Sequence, residues 1–276
     1  MLGYRHIFHA GNHADVLKHA VLTQTLQALL RKEKPFVYID THAGAGLYPL
    51  DDPRAQRTAE YVAGIARWWE APVASPALAP LMDILRAENP DGELRRYPGS
   101  PAIARHLLRP EDRMVLFELH PADHQTLVEG FGGSAGVRIE QVDAFARLKA
   151  YVPPQERRGV VLIDPPYELK SDYAKVVEMI ADAHRRWSTG VFLLWYPVLS
   201  KLAAQRFVER LASTGIPRQL CIEYLPFIDD AAANLLGSGM LIINPPFKLD
   251  TALADLAKVL GAGAASHCRV RWTVPE

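Results

Sequence analysis

Phe36-Val37-Tyr38-Ile39-Asp40-Thr41-His42-Ala43-Gly44-Ala45-Gly46 decides the fold. Its first half is a short buried strand and its second a turn of small residues, the kind of junction at which an open parallel sheet receives a ligand. Upstream, Val16, Leu17, Ala20, Val21, Leu26, Leu29 and Leu30 recur at helical spacing, predicting a helix from Ala14 to Arg31 with Lys18 and His19 near its start. Before it, Met1 to Asn12 has no period and reads as an irregular polar and aromatic arm. Downstream, strands are expected at 114–118, 137–141, 159–164, 191–196, 219–225 and 240–244, with helices such as 173–186 and 199–214 between several of them. That alternation predicts an α/β fold: a Rossmann-like, doubly wound, seven-stranded and mostly parallel sheet. Residues 50–97 break the pattern with two helical stretches, 58–70 and 78–88, and read as an inserted helical subdomain. The main domain is then 1–49 and 98–276, with the arm and first helix over 1–34. Ser100 is expected to cap a helix that opens with Pro101.

Composition sets limits. About half of the 276 residues are apolar, enough for a full core, and 31 basic against 31 acidic side chains give no net charge. No whole-molecule field draws such a chain to nucleic acid or anionic lipid, so any nucleic-acid site is a local patch. Cys221 and Cys268 are too few for a disulfide framework and lie in no C-x-x-C pattern. The start does not read as a signal peptide, and no apolar run approaches the ~20 residues that span a bilayer. A cytoplasmic protein with no membrane partner is expected.

The carboxyl ends of the strands carry Gly44, Gly46, Glu118, Asp143 and Asp164. Glycines after the first strand let backbone approach a ligand, and an acid ending the second can accept both ribose hydroxyls of a nucleoside. A dinucleotide site would need a third glycine where this chain has Pro49, and no helix obviously follows Gly46 to hold a pyrophosphate. A cofactor without phosphates fits better.

Asp164-Pro165-Pro166-Tyr167 is the most specific signal. Two prolines force the chain out of the sheet, presenting a carboxylate, a carbonyl and an aromatic ring. Hydrogen bonds to Asp164 and the Pro165 carbonyl would make an exocyclic adenine amine more tetrahedral, while Tyr167 stacks on a base taken out of its helix or loop. A bare Pro-Pro is more often a rigid turn, and Asn244-Pro245-Pro246-Phe247 is a built-in control. By strand count that copy lies late, toward a sheet edge, and is expected to be structural.

The chain resembles the ribosomal RNA large subunit methyltransferase J family along almost its whole length. The resemblance rests on Tyr4-Arg5-His6, residues 8–19, Asp40 to Gly46, Tyr97-Pro98-Gly99-Ser100-Pro101, Asp164-Pro165-Pro166-Tyr167 and Trp195-Tyr196-Pro197. It implies a class I methyltransferase that uses S-adenosyl-L-methionine to methylate N6 of a specific adenine in 23S ribosomal RNA, free or in an assembly intermediate. It also implies that His19, His42, Ser100, Glu118, Asp143, Ala144 and Asp164 line the cofactor site, with Asp164 formally the proton acceptor. Tyr4, His6 and Lys18 are implied to contact substrate, beside Tyr167.

Weaker signals read blandly. His9, His13 and His19 lack a completing ligand, so no metal is expected. Trp68 and Trp69 are taken as packing residues, and Arg54, Arg57, Arg95 and Arg96 as mostly solvated. Rival functions are a DNA adenine or protein glutamine methyltransferase, or a non-catalytic RNA-binding relative. A monomer is the expected state. From the neutral charge, RNA affinity is expected to fall only shallowly with salt when measured by filter binding between about 50 and 200 mM; a steep slope would show a phosphate-binding surface that composition hides.

Overall fold

β1 (Val37–Asp40), buried at every residue, is the axis of the sheet. The structure, a computed structural model, describes residues 3–71, 75–226, 235–263 and 266–275. Along the chain the elements are α1 (His13–Leu30), β1, β2 (Leu47–Pro49), α2 (Pro53–Thr58), α3 (Glu60–Ala63), α4 (Ala66–Trp69), α5 (Ala79–Glu88), β3 (Arg96–Pro98), α6 (Ser100–Leu107), β4 (Arg113–Phe117), α7 (Pro121–Phe131), β5 (Val137–Glu140), α8 (Ala144–Arg147), β6 (Gly159–Ile163), α9 (Asp172–Arg186), β7 (Val191–Val198), α10 (Lys201–Ala212), β8 (Gln219–Leu225), β9 (Gly237–Ile243), α11 (Leu249–Leu260) and β10 (His267–Val274). The main sheet has the order β10-β8-β9-β7-β6-β1-β4-β5. From β5 to β7 the pairs are parallel, whereas β9 is antiparallel to β7 and β8, and β10 is antiparallel to β8.

The seven expected strands are all present, but the sheet has eight. β10 forms an added edge, and its alternation of His267, Arg269, Arg271 and Thr273 with Cys268, Val270, Trp272 and Val274 is the period of a strand. Asn244 also needs correction: β9 lies inside the sheet, between β7 and β8. Because β9 runs antiparallel to β7, with Ile243 opposite Phe192, Asn244 emerges at the end of the sheet away from Asp164. There its amide donates to the Ser188 and Gly190 carbonyls at 2.8 Å each, so this Asn-Pro-Pro copy closes a turn.

Alternating side chains of β1 feed two cores. Tyr38 packs with α1, α5, α6 and α11 on one face, and Val37 and Ile39 with α9 and α10 on the other. α1 is apolar around most of its circumference, which suits a helix enclosed by the sheet, α5, α6 and α11. The Asn12 side chain accepts from the Ala14 and Asp15 N–H groups and sets its start. At α6, Gly99 rather than Ser100 holds the capping position, because the Ser100 hydroxyl donates to Asp40 at 2.7 Å.

The segment around 50–97 leaves and re-enters through a two-stranded neck, with Tyr48 opposite Tyr97. The helix expected over 58–70 is broken into α3 and α4, with a separate α2 ahead of them: Ala59 is left-handed at φ 48°, and Gly64 leaves the helical region. Trp68 and Trp69 are half-buried against the core. Leu22 on α1 is fully buried, so Leu22→Ala should cost about 2–5 kcal/mol, read as a lower urea midpoint with an unchanged slope.

Candidate active site

Beyond the carboxyl ends of β1, β4 and β6 lies one cavity, walled by α1, the β1 turn, the ends of β4 and β5, the Asp164 turn and the N-terminal arm. Parallel pairing puts the strand ends side by side, with Asp40 level with Leu116 and Leu162. The turns leaving β1, β4 and β6 therefore face a common space.

One side begins at the turn of Gly44 and Gly46, at φ 62° and 82°. A Cβ on Gly44 would meet the Tyr48 hydroxyl at 2.1 Å, so this turn requires glycine. Across it Glu118, just past β4, accepts from the Gly44 N–H at 2.8 Å and the His120 N–H at 2.7 Å, one per carboxylate oxygen. Each oxygen keeps a lone pair, which is what a ribose diol requires. Burial pushes the Glu118 carboxyl up. Asp40 is fully buried beneath the turn, where Tyr38, Ser100 and the His42 N–H all donate to it. Asp143 caps α8 by accepting from the Phe145 N–H at 2.9 Å, and it and buried Ala144 close the cavity beyond β5.

The opposite side is a chain of polar contacts. The Tyr4 hydroxyl meets His6 Nδ1 at 2.7 Å, and His6 Nε2 meets Asp15 Oδ2 at 2.9 Å. Asp15 Oδ1 lies 2.8 Å from Lys18 Nζ, which donates to Asp164 Oδ2 at 2.5 Å. With Asp15 ionised, His6 Nε2 carries hydrogen and Nδ1 accepts from Tyr4. Burial opposes both charges, yet the contacts of His6 and Lys18 with Asp15 hold its carboxyl well below the usual range. Asp15 and Asp164 likewise hold the Lys18 ammonium above its ordinary value. His19, behind this chain, contacts the Tyr97 hydroxyl at 2.7 Å, and burial pushes it down to about 3. His42, at the cavity wall against Thr41, goes down to about 4 for the same reason.

Tyr4, His6, Lys18, His19, His42, Ser100, Glu118, Asp143, Ala144 and Asp164 thus share one cavity. Lys18 is buried rather than solvated. Tyr167 is a correction. At φ 50° it turns away from the cavity, its ring 4.5 Å from that of Tyr173 and its hydroxyl donating to the Trp195 carbonyl at 2.8 Å. The expected stacking face is occupied by protein, and Trp195 and Tyr4 supply rings to the cavity instead. Asp15, Asp40 and Tyr97 were not singled out from sequence; Asp15 has a legible sign, its position one helical turn before Lys18.

The donor set matches a nucleoside with a positive centre: a carboxylate for the ribose, and near Asp164 two carboxylates against one ammonium, leaving net negative charge. With this strand order, these features define a class I S-adenosylmethionine-dependent methyltransferase. The family model described as Ribosomal RNA large subunit methyltransferase D, RlmJ, matches residues 33–274. Over the full length of both chains, this one is 46% identical to Ribosomal RNA large subunit methyltransferase J of Escherichia coli (strain K12). It is 43% identical to the protein of the same name from Haemophilus influenzae, again over the full length of both. A crystal structure of a Legionella pneumophila protein superposes with a TM-score of 0.86 at 32% identity, covering 96% of this chain and 98% of that one. The chain belongs to the ribosomal RNA large subunit methyltransferase J family.

His19 yields a pH prediction. Its folded value, about 3, lies below the ordinary 6.5, so between them the unfolded chain binds a proton that the folded one does not. Stability should then fall as pH drops from about 6.5 toward 3, and His19→Gln should flatten that slope in urea titrations at several pH values.

Proposed function

We propose that this methyltransferase places one methyl group on N6 of a specific adenine in 23S ribosomal RNA, with the base taken out of its helix or loop into the cavity beside Asp164. The observation that carries the reading is the position of Asp164: it leaves β6, the neighbour of β1, into the same cavity as Gly44 and Glu118. S-adenosylmethionine, when bound, supplies a methyl group on a positively charged sulfur. His19, His42, Ser100, Glu118, Asp143 and Ala144 would hold it, with Glu118 on the ribose.

The rest of the chemistry belongs to the chain. Lys18 engages Asp164 Oδ2, which fixes the carboxylate and leaves its second oxygen for an amine hydrogen. The Pro165 carbonyl is suited to a second hydrogen, and two such acceptors favour a pyramidal nitrogen whose lone pair points at the methyl carbon. With the methyl group passed from sulfur to nitrogen, the nitrogen would have a proton to lose, and Asp164 would be placed to accept it. Lys18 holds the Asp164 carboxylate in place for this step, while Tyr4 and His6 line the cavity beside it. Tyr167 anchors the Asp-Pro-Pro turn to β7 through the Trp195 carbonyl.

The test is incubation with tritiated S-adenosylmethionine and unmodified 23S ribosomal RNA, then digestion and identification of the labelled nucleoside. Label is expected in N6-methyladenosine, with Asp164→Ala lowering the rate by about 100-fold or more. Label in another nucleoside, or only in DNA or protein, would refute the assignment.

A further inference from the structure

The segment between β2 and β3 has no part in the chemistry above, yet it touches the N-terminal arm. His9 Nδ1 lies 2.9 Å from Glu60 Oε1, at the first residue of α3, while the Asn12 side chain donates to Glu60 Oε2 at 2.9 Å. The hydroxyl of Thr58 donates to the Phe8 carbonyl, and the Ile65 N–H to the Gly11 carbonyl at 2.8 Å. Gly64 packs so tightly on this strip that a Cβ would come within 2.1 Å of the Gly11 carbonyl oxygen. The His9 ring in turn lies flat against Tyr4, with centroids 5.4 Å apart and planes 9° from parallel.

The geometry points to Glu60 as a positioning residue for methyl transfer: by gripping His9, on which Tyr4 stacks, the inserted segment holds Tyr4 over the cavity. Other ties fix the arm to the main body: the Gly3 N–H donates to Glu168 at 3.1 Å, Arg5 forks on Asp123, and His6 contacts Asp15. None of them stacks on the flat face of Tyr4. The Glu60–His9 contact reaches that face through the His9 ring, and its side chains remain partly solvent-accessible, so it can be removed without opening the core. The hydrogen bond that His9 gives to Glu60 raises the His9 pKa. This assignment rests on the reading of the arm as part of the substrate site.

A double-mutant cycle tests it in the full-length protein, with single-turnover methylation of 23S ribosomal RNA at saturating RNA and S-adenosylmethionine. Glu60→Ala is expected to slow transfer between about 10- and 100-fold, the scale of a small misplacement at a reacting centre, without changing cofactor affinity or the melting temperature. In a Tyr4→Ala background, Glu60→Ala should add nothing. His9→Phe, which keeps a ring beneath Tyr4 but loses the Glu60 contact, should reproduce the loss and serves if Glu60→Ala does not fold. Losses that multiply, or a silent Glu60→Ala beside a slow Tyr4→Ala, overturn the clamp. A silent Tyr4→Ala overturns the arm reading and the clamp with it, whereas wild-type protein that labels no N6-methyladenosine refutes the function and not the positioning.

Discussion

Asp15, Lys18 and Asp164 form a charged triplet largely withdrawn from water, and the arrangement of the site depends on that triplet. Removing an ion from water costs several kcal/mol, so such a group persists only where each member is held in place by another. Asp15 meets this requirement with Lys18, His6 and the Gly11 N–H. Lys18 meets it by bridging α1 to the end of β6, elements 146 positions apart in sequence. The ammonium that engages Asp164 therefore also docks the first helix and the arm. At this position the same contact orders the cavity wall and ties distant elements together.

The buried Asp40 has a quieter part. Fully buried beneath the cavity, it gathers Tyr38, Ser100 and the His42 backbone and so fixes the turn that carries Gly44. Burial pushes its carboxyl up, which makes its donors essential rather than incidental. Glu118 repeats the device one strand away, spending one lone pair of each oxygen on backbone and keeping the other. Both sides of the cavity are thus shaped by carboxylates whose protein partners set their orientation before any ligand arrives.

Much of this was legible in the residues themselves. The β1 turn, the Asp-Pro-Pro turn and the strand count through β9 follow from apolar runs and glycine and proline punctuation, signals carried by neighbouring residues. What escaped was of two kinds. β10 had a readable alternation that simply follows a poorly patterned stretch, whereas the orientation of Tyr167 depends on a left-handed backbone that no β-aromatic residue advertises. Contacts between distant segments, Glu60 with His9 and Lys18 with Asp164, leave no local trace because either partner alone reads as a solvated charge. The resemblance named most cavity residues, but neither Asp15 nor Glu60 stood out until the chain was folded.

The neck formed by β2 and β3 has an evolutionary corollary. Because the excursion departs and returns on paired neighbouring strands, its ends stay together whatever lies between them, and extra residues cost little loop entropy. That freedom is unevenly shared. The α2–α3 portion is tied to the arm through Thr58, Glu60 and Gly64, and α5 packs in the core against α1, so insertions and deletions in relatives should accumulate in the connection between α4 and α5.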